Sequence, residues 1–353
     1  MSLRRGSSNV PVTPLQVRPK WDRDSLPGGC RSLASPLAVR LDARPGEPLS
    51  LVFVGIVALA VLAGVVLVLR TIMPPRATQF ATLIGIVDPL IATVFAIAQL
   101  WGDWIGWTEL LLFLGLFTLP GLGVTIGYHR LLTHRSFETG RAVKTSLLVL
   151  GSIGIPSRPT DFAATHLEHH ANSDRPGDPH SPLDGFVHAH AGWLLDVNRP
   201  RANERYCRQL LLDPAVAFVD RTAFLWFGLG FFVIPFAVAG WSGFLWGGLV
   251  RMAFGNHLAY AVNSICHKFG SQPFATNDES RNNFAMGLLA FGEGWHNNHH
   301  AFPAAAYHGM GWRQPDLSGM VIWLLVKTGL AWNVKEPNPA IVERKRRAAV
   351  SPA

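Results

Sequence analysis

Nine of the chain's 14 histidines stand in patterned groups. The groups are His129-Arg-Leu-Leu-Thr-His134, His166-Leu-Glu-His169-His170 and His296-Asn-Asn-His299-His300, with Asn263-Ser-Ile-Cys-His267 between the second and third. Imidazole suits Fe, Zn, Cu and Ni as a ligand. On a helix, positions i, i+3 and i+4 share one face, so each HxxHH aims three rings at one point. Asn263 and His267, four apart, extend the same idea. His129 and His134 are five apart, a spacing that one straight α-helix does not align, so they converge only where the helix ends or bends. Nine rings are more than one metal takes, and a structural zinc needs four ligands, usually with Cys among them. Two metals, each keeping an open position, fit the count better, and iron is the natural choice where the chemistry uses dioxygen.

Carboxylates flank these groups. Asp174 and Asp178 follow the second, where they either orient ligand histidines through the distal N–H or cap a loop, and Glu293 precedes the third as a further candidate for the same task. His180, His188, His190 and His308 read as supporting or structural, and His257 as a hydrogen-bonded interior residue. Cys266 points away from His267 on a helix and reads as packing. Gly121-Leu-Gly123-Val-Thr-Ile-Gly127 has the look of a dinucleotide loop but follows no strand, so close helix packing is expected there.

The elements that must position these groups are membrane-spanning. Charged residues make up only 15% of the chain, 49% is apolar, and the mean hydropathy is +0.22, against about 25% charged in an ordinary soluble protein. Three cysteines (Cys30, Cys207, Cys266) form no CxxC pair. Those counts exclude a disulfide scaffold, a Cys-type zinc or iron–sulfur protein and, despite a net charge of +8, a nucleic-acid binder. Leu51–Leu69, Phe80–Trp101, Trp104–Gly127, Thr222–Gly240 and Trp241–Val262 are candidate spans, the second weakened by Asp88-Pro89. Arg251, Asn256 and His257 lie inside the last and are expected to face protein or water. The apolar stretch Ala142–Ile155 is short and is expected in the interface or packed internally. Trp101, Trp104, Trp107 and Trp241 sit near span ends, as interface residues do.

The expected fold is therefore all-α and integral to the membrane, with two transmembrane hairpins, a possible extra N-terminal span at 51–70, and a cap holding the metals. Residues 1–50 carry seven prolines and eight Lys or Arg and read as a disordered tail, and 336–353 as a basic C-terminal tail. The links at Gly102-Asp103 and Gly240–Ser242 carry no Lys or Arg, whereas 128–221 carries eleven, so the positive-inside rule puts 128–221, the C-terminus and all the histidine groups on the cytoplasmic side. A spanning 51–69 segment would then leave the basic first fifty residues outside, which fits that rule poorly.

The three boxes, together with Gly127-Tyr-His-Arg-Leu-Leu-Thr-His-Arg-Ser-Phe137, Val262-Asn-Ser-Ile-Cys-His-Lys-Phe-Gly270 and Gly292-Glu-Gly-Trp-His-Asn-Asn-His-His-Ala-Phe-Pro303, resemble the integral-membrane fatty acyl desaturases of the stearoyl Δ9 type, over roughly 80–335. The resemblance implies a non-haem di-iron centre under a cytoplasmic helical cap. Carried over by position, one iron takes His129, His134, His166, His170 and His299; the other takes His169, His267, His296 and His300, with Asn263 reaching it through water. It also implies removal of two hydrogens from a saturated acyl chain to leave a cis double bond, using O2 and two external electrons. The animal acyl-CoA enzymes carry Arg-Asp before the second box, where this chain has Ala164-Thr165, and Arg-Lys after a Gly-Trp-Leu-Leu stretch, where this chain has Asp196-Val197-Asn198. That weakens CoA as the carrier and leaves an acyl-lipid or another acyl-thioester.

Unactivated methylenes offer no acid to ionise, so no catalytic side chain is expected beyond the metal centre; the protein's part is placement and exclusion of water. No HPGG, Cys cluster or nucleotide loop occurs in the sequence, which implies a separate electron donor, a ferredoxin or a reductase. The outline suits a bacterial cell membrane with the site facing the cytoplasm. Two other readings compete. A di-iron hydroxylase or alkane monooxygenase has other box spacings, and its product is an alcohol. A zinc-binding transporter or receptor predicts carboxylates along the spans, where Asp88 and Glu109 are the only candidates and neither lies near a box.

Overall fold

The computed structural model describes residues 51–68, 74–98, 105–196 and 207–350. The expected tail at 1–50, Trp101, Trp104 and the Val197-Asn198 position lie outside the described residues. The protein is mostly helical. Among the described residues three helices are long and apolar enough to cross a membrane: Pro75–Ala98, Trp107–Thr133 and the 52-residue run Pro214–Ile265.

Helix α1 (Leu51–Val68) and α2 (Pro75–Ala98) are packed together, with Phe53 and Ile56 of α1 buried among Ala92 and Ala96 of α2 and Phe244, Leu245 and Leu249 further on. Helix α2 runs through Asp88-Pro89 without a break. Helix α3 (Trp107–Leu122) passes directly into eleven residues of π-helix, Gly123–Thr133. That segment lies flush against α4 (Arg141–Gly154). A Cβ on Gly123 would sit 2.3 Å from the Gly151 nitrogen, and one on Gly127 would sit 2.7 Å from the Leu147 oxygen. The glycine run is thus a close-packing surface, and α4 is internal, its Leu147, Leu148, Gly151 and Ser152 buried.

Helices α5 (Pro159–Asn172) and α6 (Phe186–His190) follow in the cap. The long apolar run comprises α7 (Pro214–Gly228), a π-helical turn, α8 (Ile234–Gly243), a second π-helical turn and α9 (Arg251–Ile265). It is one stretch in sequence but two in direction. Ala239 (φ −140°) and Gly240 (φ 59°, ψ −140°) leave helical geometry, and the Gly240 values are open to glycine alone at little strain. The turn falls where the charge-free link at 240–242 was expected. Glu109, at the start of α3, ties into it: one carboxylate oxygen accepts the Gly106 N–H and the other accepts the Ser242 hydroxyl, both at 2.8 Å.

Arg251 is 2% exposed and donates to the carbonyls of Gly247, Gly154 and Gly230, so the cation inside α9 faces protein as expected. The cap is completed by α10 (Phe284–Leu289), α11 (His296–Ala301), α12 (Leu317–Lys327) and α13 (Pro339–Val350). A two-stranded antiparallel ladder joins β1 (Glu138–Thr139) to β2 (Ala331–Trp332). The basic C-terminal segment, read from sequence only as a tail, is helical over α13.

Candidate metal centre

Three short pieces of backbone geometry aim the rings. The first is the π-helix ending α3. Its wider turn bonds N–H to the carbonyl five residues back, and the His134 N–H donates to the His129 carbonyl at 3.1 Å. A five-residue spacing that an α-helix splays is brought into register, and the His129 and His134 rings lie 4.8 Å apart. The second is α5, opened by Pro159 at its first position, with the Thr160 N–H and hydroxyl donating to the buried Asp220 carboxylate. From that anchored end His166, His169 and His170 share one face. The third is α11, six residues long and wholly buried. Its intervening Asn297 and Asn298 hold the opposite side: the Asn297 side-chain oxygen (Oδ1) accepts the Phe274 N–H, and the Asn298 side-chain amide donates to the His308 carbonyl and to Gln314.

The nine rings divide into two groups, each with its ring nitrogens mutually within 4.8 Å. His129, His134, His166, His170 and His299 form one; His169, His267, His296 and His300 form the other. In the first group Nε2 of His129 lies 2.8 Å from that of His166 and 3.1 Å from that of His299, and Nε2 of His170 lies 2.9 Å from that of His299. In the second, His267 to His296 and His296 to His300 are both 3.0 Å, and His169 to His300 is 3.3 Å. Asn263, one turn before His267, lines a cavity together with His296.

Carboxylates decide which nitrogen carries the proton. Nδ1 of His169 donates to Asp178, that of His267 to Asp174 and that of His300 to Asp278, each at 2.9 Å, while Nδ1 of His129 donates to Glu293 at 2.6 Å. A neutral imidazole has one N–H. His169 and His300 both spend theirs on an aspartate, so their Nε2 atoms face each other with two lone pairs at 3.3 Å. Such a contact is repulsive on its own and becomes attractive around a shared cation. Burial, reinforced by the neighbouring imidazoles, holds His166, His169, His296, His299 and His300 well below the usual histidine range and brings His170 down to about 3. Those six rings are therefore neutral at physiological pH, the form that ligates metal. The donor set of buried, neutral nitrogens fits a transition metal in each group.

Asp174, Asp178 and Glu293 thus take the orienting places, and not the loop-capping one alone. Asp278 was not anticipated; it reaches His300 from a loop 22 residues earlier, outside any motif. Also unanticipated is Arg130, fully buried, which donates through both terminal nitrogens to Asp316 (3.0 and 2.9 Å) and through one of them to Glu293 (3.1 Å). It couples the first histidine box to the start of α12, where Asp316 also caps the Gly319 N–H. His308 lies against His299 (ring centroids 4.6 Å) and near Glu293, and His180 stacks beside His169 at 4.3 Å, both in supporting positions. His190 and His257 hydrogen-bond each other at 3.0 Å, and His188 lies 4.0 Å from Asp184; none of the three joins either group.

A cavity of about 580 Å³ opens onto the rings, a size that suits a small-molecule substrate. Its walls include Leu116, Phe117 and Val124 of the α3 segment, Gly255 and Leu258 of α9, and the rings of His129, His166 and His296. Ala164 and Thr165, which precede the second histidine box, form part of the wall.

Comparison with known proteins places this geometry. The family model for fatty acid desaturase matches residues 102–334. A hex-5-enoyl-(acyl-carrier protein) acetylenase of Moorena producens is 38% identical over 283 residues, covering 74% of this chain and 88% of that protein. An sn-1 stearoyl-lipid 9-desaturase of Anabaena variabilis is 38% identical over 216 residues, covering 61% and 79%. Delta-9 acyl-lipid desaturase 2 of Arabidopsis thaliana is 38% identical over 266 residues, covering 73% and 84%.

Proposed function

This chain belongs to the fatty acid desaturase family, and on that premise we propose that it is an acyl-lipid Δ9 desaturase with one iron in each histidine group. The reading is carried by one observation: two sets of buried ring nitrogens, five and four, converge beside an apolar cavity. His129, His134, His166, His170 and His299 hold one iron; His169, His267, His296 and His300 hold the other, with Asn263 acting on it through water. Two irons so held supply the oxidising power to remove hydrogen from an unactivated methylene.

The rest is the work of the chain. Leu116, Phe117 and Val124 bind the acyl chain by burying its methylenes and fix which carbons lie beside His129, His166 and His296. Asp174, Asp178, Asp278 and Glu293 hold the N–H groups of His267, His169, His300 and His129 away from the centre, so that the lone pairs of those four rings point inward. With an acyl chain seated against them, these apolar walls keep bulk water from the reacting carbons. The balance is simple: two hydrogens leave the chain, two electrons arrive from a donor with two protons, and both atoms of O2 leave as water. The donor is a separate protein, a ferredoxin or a reductase.

An acyl-lipid carrier and the Δ9 position draw support from relatives named as acyl-lipid and stearoyl-lipid 9-desaturases and from the uncharged Ala164-Thr165 wall. Residues 80–335 form the desaturase domain, 51–70 an additional span, and the two halves of Pro214–Ile265 cross separately. The positively charged cap faces the cytoplasm of a bacterial cell, as the distribution of Lys and Arg supports. The test is expression in a host lacking its own desaturase, with mass spectrometry of lipids and double-bond mapping. Cis-9 monoenes in intact lipids are expected. Metal-loaded protein with no new alkene, or with hydroxylated chains alone, overturns the proposal.

A further inference from the structure

Helix α13 is the part of the fold with no task in the reaction so far, yet it lies one residue from a proposed iron ligand. The Lys345 ammonium donates to the carbonyl of Ala301 at 2.8 Å, and Ala301 follows His300 directly. The Ala275 N–H donates to the Lys345 carbonyl at 3.1 Å, Arg346 lies over the Phe274 ring, and Lys345 lies over the Phe302 ring. These contacts clamp α13 onto the 274–281 loop, which carries Asp278, the carboxylate bound to His300.

The face so formed is basic. Arg344 and Arg346 are exposed on α13, and Arg281 and the exposed Arg175 border the same loop, the latter donating to the Asn277 carbonyl. Among these residues the exposed carboxylates are Glu279, bonded to Arg281, and Glu343, beside Arg346. The surface is also poor in the bulky apolar groups that would seat a helix in lipid. Ile341 is the one large hydrophobic exposed among the described residues of α13. Helix α12, by contrast, exposes Met320, Trp323 and Leu324, with Lys327 over the Trp323 ring, as a membrane-lying helix does. The comparison separates a lipid-facing helix from one built to meet a soluble anionic surface.

We propose that the basic face of α13 and the 274–281 loop is the docking surface for the electron donor, an acidic one-electron carrier protein, which delivers electrons to the histidine group containing His300. The inference rests on the desaturase reading above. Attraction between oppositely charged faces raises the encounter rate at low salt and is screened as salt rises.

The experiment uses the full chain, iron-loaded, in nanodiscs of neutral lipid and, in a second arm, of lipid containing anionic headgroups, with a reduced acidic [2Fe–2S] ferredoxin as donor. The double variant Arg344→Glu/Arg346→Glu is expected to raise the KM for ferredoxin by about 10-fold, with kcat at saturating donor unchanged and a much shallower dependence on ionic strength. Arg344→Lys/Arg346→Lys keeps the charge and is expected to keep the low KM. Both variants, reduced chemically with dithionite and then given O2, are expected to form the same alkene per iron as the native protein. An unchanged KM and salt dependence in the charge-reversed variant overturns the proposal. So does a variant whose only change is loss of a stimulation by anionic lipid, since that assigns the face to the membrane surface. Failure of the desaturase reading looks different: no alkene from the native protein with either reductant.

Discussion

The two histidine groups share the second and third boxes, the first box completing one and His267 the other, but they are supported unequally. In the group of His169, His267, His296 and His300, three of four rings are backed by an aspartate at 2.9 Å, and the cluster is buried under the loop that α13 covers. In the group of His129, His134, His166, His170 and His299, His129 is backed by Glu293, which is itself shared with the Arg130 guanidinium. That group supplies His129 and His166 to the cavity wall, where the other supplies His296. One group is backed by aspartates and lies near a basic helix; the other has more rings and gives two of them to the cavity wall. On the proposed reading, the first receives electrons and the second meets the acyl chain.

The sharpest way to break this comparison is to remove one ring from each side. His299→Ala is expected to lower alkene formation by more than about 100-fold and to remove iron from the five-histidine group while leaving the other loaded. His267→Ala is expected to do the converse, and iron spectroscopy of the two variants reads which site remains. If either substitution empties both sites, the groups are not independent.

The next effect in size is on stability. Arg130 is fully buried, and Asp316→Ala strips it of its bidentate partner. Removing one partner from a buried ion pair costs about 3–5 kcal/mol, and here Glu293 is left as the remaining carboxylate of Arg130. Thermal unfolding in detergent measures the loss, and the accompanying activity loss will follow the substrate-facing group, to which Arg130 connects through Glu293.

Smaller again is the effect of the carboxylates. Asp178→Asn and Asp278→Asn are each expected to weaken iron at the aspartate-backed group by about 10- to 100-fold. Glu293→Gln weakens the five-histidine group instead, and chelator titration of each variant ranks them. Equal losses from both groups in every variant would erase the asymmetry. The smallest effect lies at the far end of the membrane region. Glu109→Gln loses charge-assisted bonds to Gly106 and Ser242, costs about 1–3 kcal/mol in unfolding and leaves the metal affinity of both groups untouched.

Much of this was legible in sequence because its signals are local. An HxxHH pattern states its own face on an α-helix, and the apolar stretches state their own length. The turn at Ala239–Gly240 falls at the boundary read between the Thr222–Gly240 and Trp241–Val262 stretches. What stayed hidden depends on geometry or on distant partners. The convergence of His129 and His134 needs a π-helix, which no hydrophobic period of 3.6 announces; only the five-residue spacing hinted at a bend. Asp278 and Asp316 belong to no motif, and they reach His300 and Arg130 across 22 and 186 residues. The basic C-terminal segment looked like a tail because its charges dominate its composition; it is helical against the cap, where Lys345, Phe274 and Phe302 hold it.

The central claim is that the nine rings hold two irons in two distinct sites. Iron and zinc per chain, measured by mass spectrometry on protein purified without added metal, test it most directly. The account predicts two irons per chain, one for each ring cluster, with zinc well below one. A single tightly bound zinc per chain, and no iron uptake on reconstitution, would contradict it.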